Sequence, residues 1–145
     1  MDIRPLTDSY AVSPQIAPQD APAIAAAGYR TVICNRPDGE AAPDTAMAAV
    51  KAAVEAAGMH FVANPFTGPT LSMDHVTAQG AALDEADGPV LAYCASGNRS
   101  SVVWALAMAG RMPVDDLIRT PARYGYQLEG LRPQIEALAA ARYSR

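Results

Sequence analysis

Val90-Leu91-Ala92-Tyr93-Cys94-Ala95-Ser96-Gly97-Asn98-Arg99-Ser100 sets the tightest limit on the fold: an apolar, β-rich run stops at a cysteine, turns through a short polar loop and hands an arginine to the start of an apolar helix. A strand joined to a helix in so few residues belongs to a layered arrangement, with the helix packed back over a sheet. Upstream the pattern repeats. Thr31-Val32-Ile33-Cys34 and His60-Phe61-Val62-Ala63 read as strands, the first left through Asn35-Arg36-Pro37-Asp38-Gly39 and the second broken by Pro65 and Gly68-Pro69. Strands alternating with helices at this spacing predict an α/β fold, with a mostly parallel central sheet of about four to five strands flanked by helices. In such sheets ligands gather at the carboxyl ends of the strands. The loops after Cys34 and after Ala63, and the loop containing Cys94, are therefore expected on one rim.

The remaining segments fit that frame. The runs 3–6 and 10–12 flank Thr7-Asp8-Ser9 and predict a hairpin at the sheet edge. Helices are expected over 18–27 (stopped by Gly28), 45–57 (closed by Gly58), 72–86, from the Cys94 loop to 108, after Pro113, and over 128–141. Neither repeat nor linker divides the chain. Its 145 residues, half of them apolar and 18% charged, suit one domain over 1–145. A net charge of −4 gives no general affinity for nucleic acid or an anionic membrane, so any attraction for anions must be local. Ten of the eleven basic residues are arginine, and nothing groups them into a basic tract. Met1-Asp2-Ile3-Arg4-Pro5 lacks a signal-peptide core, and no apolar run approaches the roughly 18 residues of a membrane span, which makes a cytoplasmic protein the expectation. Two cysteines sixty positions apart are not a disulfide framework.

Cys94 is the candidate nucleophile. The N–H groups of Ala95, Ser96, Gly97 and Asn98, the positive end of the following helix and the Arg99 guanidinium all favour negative charge at one point, and the Ser100 hydroxyl is placed to donate to a sulfur anion. Gly97 allows a backbone turn that a β-carbon would hinder. The plainer alternative makes Cys94 a buried small hydrophobe and Arg99 half of a surface ion pair. A loop of the phosphate-cradling kind weighs against it.

The chain resembles the small protein-tyrosine-phosphatase-like domain that occurs alone, or fused to a metallo-β-lactamase-fold persulfide dioxygenase, in the β-lactamase-hydrolase-like family. The resemblance spans nearly the whole sequence. It rests on Val12-Ser13-Pro14-Gln15-Ile16, on Thr31-Val32-Ile33-Cys34-Asn35-Arg36-Pro37-Asp38-Gly39-Glu40, and on Tyr93-Cys94-Ala95-Ser96-Gly97-Asn98-Arg99-Ser100. It implies a phosphatase-like fold, an activity that is either phosphatase or sulfur transfer, and a persulfide dioxygenase as functional partner.

Spacing separates the two activities. Protein tyrosine phosphatases carry five residues between cysteine and arginine, whereas four separate Cys94 from Arg99, as in rhodanese sulfurtransferases. A loop shorter by one residue has a smaller radius and suits a single sulfur better than a phosphoryl group. The leaving groups point the same way, since a phosphate monoester expels an alkoxide or phenolate that needs a positioned acid. Asp84, Glu85 and Asp87 precede a strand and lie at the wrong end of the sheet. Asp38 and Asp74 are at the right rim, although a Pro-Asp-Gly turn explains the first and a helix N-terminus the second. Sulfur transfer is accordingly the expected activity: Cys94 takes a sulfane sulfur from thiosulfate or glutathione persulfide and passes it to a thiol, sulfite or cyanide. Neither metal nor cofactor is required. The alternatives are a phosphatase working through a Cys94 phosphocysteine and a catalytically silent anion-binding module.

Other residues carry smaller expectations. Arg36 either steers an anionic substrate or braces its own loop. Cys34 continues a β-branched run and reads as core rather than as a resolving thiol. His60 and His75 form no metal constellation with either cysteine. Trp104 reads as packing, and Tyr124 and Tyr126 either cover a pocket or join two helices.

Overall fold

The computed structural model describes residues 1–143 and has a five-stranded sheet ordered β1-β2-β5-β3-β4. The strands are β1 (Arg4–Pro5), β2 (Tyr10–Ser13), β3 (Thr31–Cys34), β4 (His60–Ala63) and β5 (Val90–Tyr93). β1 pairs antiparallel with β2 as the expected edge hairpin, and the other pairings are parallel. Register brings Ser13, Cys34, Ala63 and Tyr93 level at one edge, because Tyr93 pairs with both Ser13 and Cys34, and Cys34 with Ala63. The three loops thus share a rim as the sequence predicts.

Side chains alternate across the sheet and build two cores. Ala11, Val32, Cys34, Leu91 and Tyr93 pack on one face with Ile24 of α1 (Ala21–Ala26) and Val50 and Val54 of α2 (Met47–Ala56). Val12, Ile33, Val90 and Ala92 face the other core with residues of α3 (Met73–Glu85), α4 (Asn98–Ala107), α5 (Val114–Ala122) and α6 (Arg132–Tyr143). β5 is central and wholly buried, whereas β4 is the outer strand and exposes both its ends. α4 runs back over the sheet almost entirely buried, with Trp104 stacked on Tyr10 at a centroid distance of 5.8 Å, so Trp104 is packing.

Helix starts differ from the expected ones where the first turn winds tightly. Pro18–Asp20, Pro43–Thr45 and Glu129–Leu131 are 3₁₀ turns that precede α1, α2 and α6. A 3₁₀ entry is common at helix ends, and apolar periodicity does not register it. Among the described residues no helix is long and apolar enough to cross a membrane.

Candidate active site

Cys94 follows β5 directly, at the rim, and is 1% exposed. Its N–H donates to the Ser13 carbonyl and the Gln15 N–H donates to the Ala95 carbonyl, each at 3.4 Å, so the chain leaving β2 walls one side of the loop. The Gly97 N–H donates to the Cys94 sulfur at 3.1 Å. Gly97 has φ +96°, and a Cβ there would collide with the Tyr126 hydroxyl. Glycine is required twice over, for the left-handed turn and for the approach of the tyrosine. Tyr126 donates to the Ser96 carbonyl at 2.7 Å and accepts from Arg4 at 2.6 Å, which decides its role: it props the loop from outside. Tyr124, by contrast, donates to the Pro5 carbonyl. Ser96 Oγ accepts from the Asn98 N–H at 3.3 Å, and both Ser96 and Asn98 are exposed.

Arg99 stands in the first turn of α4 and is held by three hydrogen bonds to two partners. Its Nη2 donates to Glu40 Oε1 at 2.7 Å, and Nη1 donates to Glu40 Oε2 at 3.1 Å and to the Phe66 carbonyl at 3.0 Å. Two parallel bonds to one carboxylate are the fork geometry by which arginine also grips other oxyanions. The bonds to Glu40, helped by attraction to nearby Cys94, raise the ionisation of Arg99 above its ordinary value despite partial burial. Glu40 is pulled below the usual carboxylate range, chiefly by the same hydrogen bonds. The ion pair of the plainer alternative therefore exists, and it lies at the mouth of the loop. Its carboxylate stands where an oxyanion bound by Arg99 would compete with it.

Other expected site residues are placed differently. The Ser100 hydroxyl does not serve the sulfur; it is buried and donates to Asn35 Oδ1 at 2.9 Å, since its position in α4 turns it toward the core under the loop. Asp38 accepts the N–H of Met47 at 2.8 Å, so its carboxylate caps α2. Asp74 is exposed in the first turn of α3. Arg36 donates to Gln15 Oε1 at 2.9 Å and to the Glu40 carbonyl at 2.7 Å, and its Nε lies 3.6 Å from Glu40 Oε1, so it braces its own loop. Two guanidinium groups, those of Arg36 and Arg99, thus face the single Glu40 carboxylate at the mouth. Cys34 donates to the Arg36 carbonyl at 3.2 Å, and burial pushes its thiol above the ordinary value. Both cysteines are free. Among the described residues no three histidine, cysteine or acidic side chains group as metal ligands.

A profile of the phosphatase-like domain of beta-lactamase hydrolase-like protein matches residues 2–111. The chain belongs to that family. A beta-lactamase hydrolase-like protein from Agrobacterium fabrum is 33% identical over 135 residues, covering 92% of this chain but 31% of that protein. The chain thus spans about a third of the length of such curated relatives. A crystal structure from Neisseria meningitidis, described as a "putative phosphatase", superposes with a TM-score of 0.81 at 36% identity, covering 95% of this chain and 99% of that one. PTPMT1 superposes at 0.74 over 99% of this chain and all of that one, at 13% identity, a likeness of fold alone. The protein-tyrosine-phosphatase-like α/β fold expected from the motifs is the fold of this family domain.

Sequence reasoning missed Glu40 and the Phe66 carbonyl as partners of Arg99, and left Tyr126 open between covering a pocket and joining two helices. Glu40 had a visible signal, being an acid at the end of a rim loop opposite an arginine on another. A backbone carbonyl has none.

Proposed function

We propose that this phosphatase-type domain hydrolyses phosphoric monoesters through Cys94. The reading rests on a sulfur that accepts the Gly97 N–H at 3.1 Å on a loop that opens α4 and carries Arg99 in the next turn. The matched family domain is described as phosphatase-like and the Neisseria meningitidis structure as a phosphatase, which supports the phosphatase alternative over sulfur transfer. The Cys94 thiolate attacks phosphorus; an S–P bond forms, the ester P–O bond breaks, and its electron pair leaves with the alcohol oxygen. Water then attacks the phosphocysteine, the S–P bond breaks, and thiolate and inorganic phosphate are released. Arg99 exchanges the Glu40 carboxylate for phosphoryl oxygens, and the dipole of α4 favours the charge that builds on them. Because Asp38 is committed to capping, Asp74 is the remaining acid candidate, and aryl phosphates, whose phenolate leaves readily, are the expected substrates.

Sulfur transfer is the second reading, favoured by the four residues between Cys94 and Arg99. One side-by-side assay separates the two. Wild type and Cys94→Ala are given an aryl phosphate, thiosulfate and glutathione persulfide. Cys94-dependent phosphate release supports the proposal. Absence of phosphate release, with about 32 Da gained at Cys94 from a sulfur donor, overturns it in favour of the second reading. Anion binding without either product identifies a silent module.

A further inference from the structure

Gln79 lies at the centre of α3 on its inward stripe, between Val76 and Ala82, and is wholly buried. Burying an amide among apolar neighbours is costly unless each of its polar atoms finds a partner, and here they do. Oε1 accepts from Asn35 Nδ2 at 3.0 Å and from Asn64 Nδ2 at 2.9 Å. Nε2 donates to Tyr10 Oη at 3.1 Å and to Asn35 Oδ1 at 3.3 Å. The partners are tied to one another as well. Asn35 Nδ2 donates to the Asn64 carbonyl, Ser100 Oγ donates to Asn35 Oδ1, and Tyr10 Oη donates to the Ser100 carbonyl.

Three members of the network, Asn35, Asn64 and Ser100, adjoin a segment that grips or carries Arg99. Asn35 opens the loop that presents Glu40; Asn64 opens the turn that presents the Phe66 carbonyl; Ser100 is the next residue of the helix that carries the arginine. The Phe66 N–H also donates to the Asn35 carbonyl at 3.3 Å, which joins the two loops at their roots. A network whose members are all satisfied has one low-energy arrangement, and shifting any one of them strands another without a partner. A purely apolar residue at position 79 would pack the core and leave the loops unregistered.

We infer that Gln79 is a positioning residue for Arg99: it sets the register of the two rim loops and the first turn of α4 from which the guanidinium is aimed. The inference rests on Cys94 and Arg99 being nucleophile and anion clamp, and not on which anion they take. Its test uses two alkylating agents. Iodoacetate and iodoacetamide both form an S–C bond with loss of iodide, but only iodoacetate carries a carboxylate for Arg99 to grip. Rates of Cys94 modification, located by peptide mass, are compared in wild type, Gln79→Leu, Arg99→Ala and the double variant. The iodoacetate to iodoacetamide ratio should fall on the order of ten-fold in Gln79→Leu, as expected of a displaced binding group. The double variant should show the ratio of Arg99→Ala, because a residue acting through Arg99 has nothing left to act through. A ratio unchanged in folded Gln79→Leu, or a further fall of the same size in the double variant, overturns the inference.

Should Gln79→Leu not fold, Tyr10→Phe removes one bond to Gln79 and one to Ser100 while keeping the ring stacked on Trp104. Its ratio should fall about two-fold, the scale of one weakened neutral hydrogen bond, and an unchanged ratio again overturns the inference. Neither readout needs turnover. A wild type inactive on aryl phosphate but showing these ratios would remove the phosphatase reading and leave Gln79 in its role; an active wild type without them would do the reverse.

Discussion

Cys34 ends β3 and Cys94 follows β5, on neighbouring strands at the same rim, and each is 1% exposed. The two differ in the residues that come next in the chain. After Cys34 the backbone turns away toward Pro37, and the thiol donates to the carbonyl of Arg36, so the sulfur faces an acceptor and burial holds its proton on. After Cys94 the backbone winds through Gly97 into a helix, and the sulfur meets a donor N–H and the neighbourhood of Arg99. A strand end supplies position; the next three residues decide whether the sulfur meets an acceptor or a donor there.

The sharpest way to break this comparison is to exchange each sulfur for oxygen. Cys94→Ser should lower turnover by about 10³-fold or more, as loss of a nucleophile does, while Cys34→Ser should stay within about two-fold of wild type in the same assay. Equal losses in both would show that burial and not the loop sets reactivity. Next in size is Arg99→Lys, for which kcat/KM should drop about 10²-fold because an ammonium cannot reproduce the fork now closed on Glu40.

Smaller effects sharpen the loop side. Gly97→Ala places a side chain at φ +96° against the Tyr126 hydroxyl and should cost about 1–3 kcal/mol, read as a lower urea midpoint. Tyr126→Phe removes the bond to the Ser96 carbonyl without changing the ring, and about 1 kcal/mol is expected by the same measurement. The least effect belongs to Cys34 and appears in alkali. Its folded thiol keeps a proton that the unfolded chain releases, so stability is whole below the ordinary thiol range and declines as pH rises through that range toward the raised folded value. Buried Tyr10 and Tyr93, both pushed upward by desolvation, act in the same direction. Cys34→Ser should therefore flatten only part of the alkaline decline in a melting series from neutral to high pH.

Local pattern made β3, β4 and β5 readable at their ends, since β-branched and aromatic runs stop at turn residues, and it put three loops on one rim through the rule for parallel sheets. The Cys94 loop was equally readable, because cysteine, glycine and arginine at close spacing constrain one another within a single turn. Chain-local information ended there. It placed Ser100 on the sulfur, whereas the hydroxyl points beneath the loop to Asn35.

Glu40 on Arg99, Tyr126 behind Gly97 and Gln79 beneath the rim are contacts between residues far apart in the chain. The sequence by itself determined a mostly parallel α/β sheet, the rim and the sulfur at its centre, because periodicity and turn chemistry act over a few residues. Only the tertiary structure decided which groups hold Arg99 and which hold the loop, because hydrogen bonds across tens of residues depend on how layers meet, and no local pattern records that.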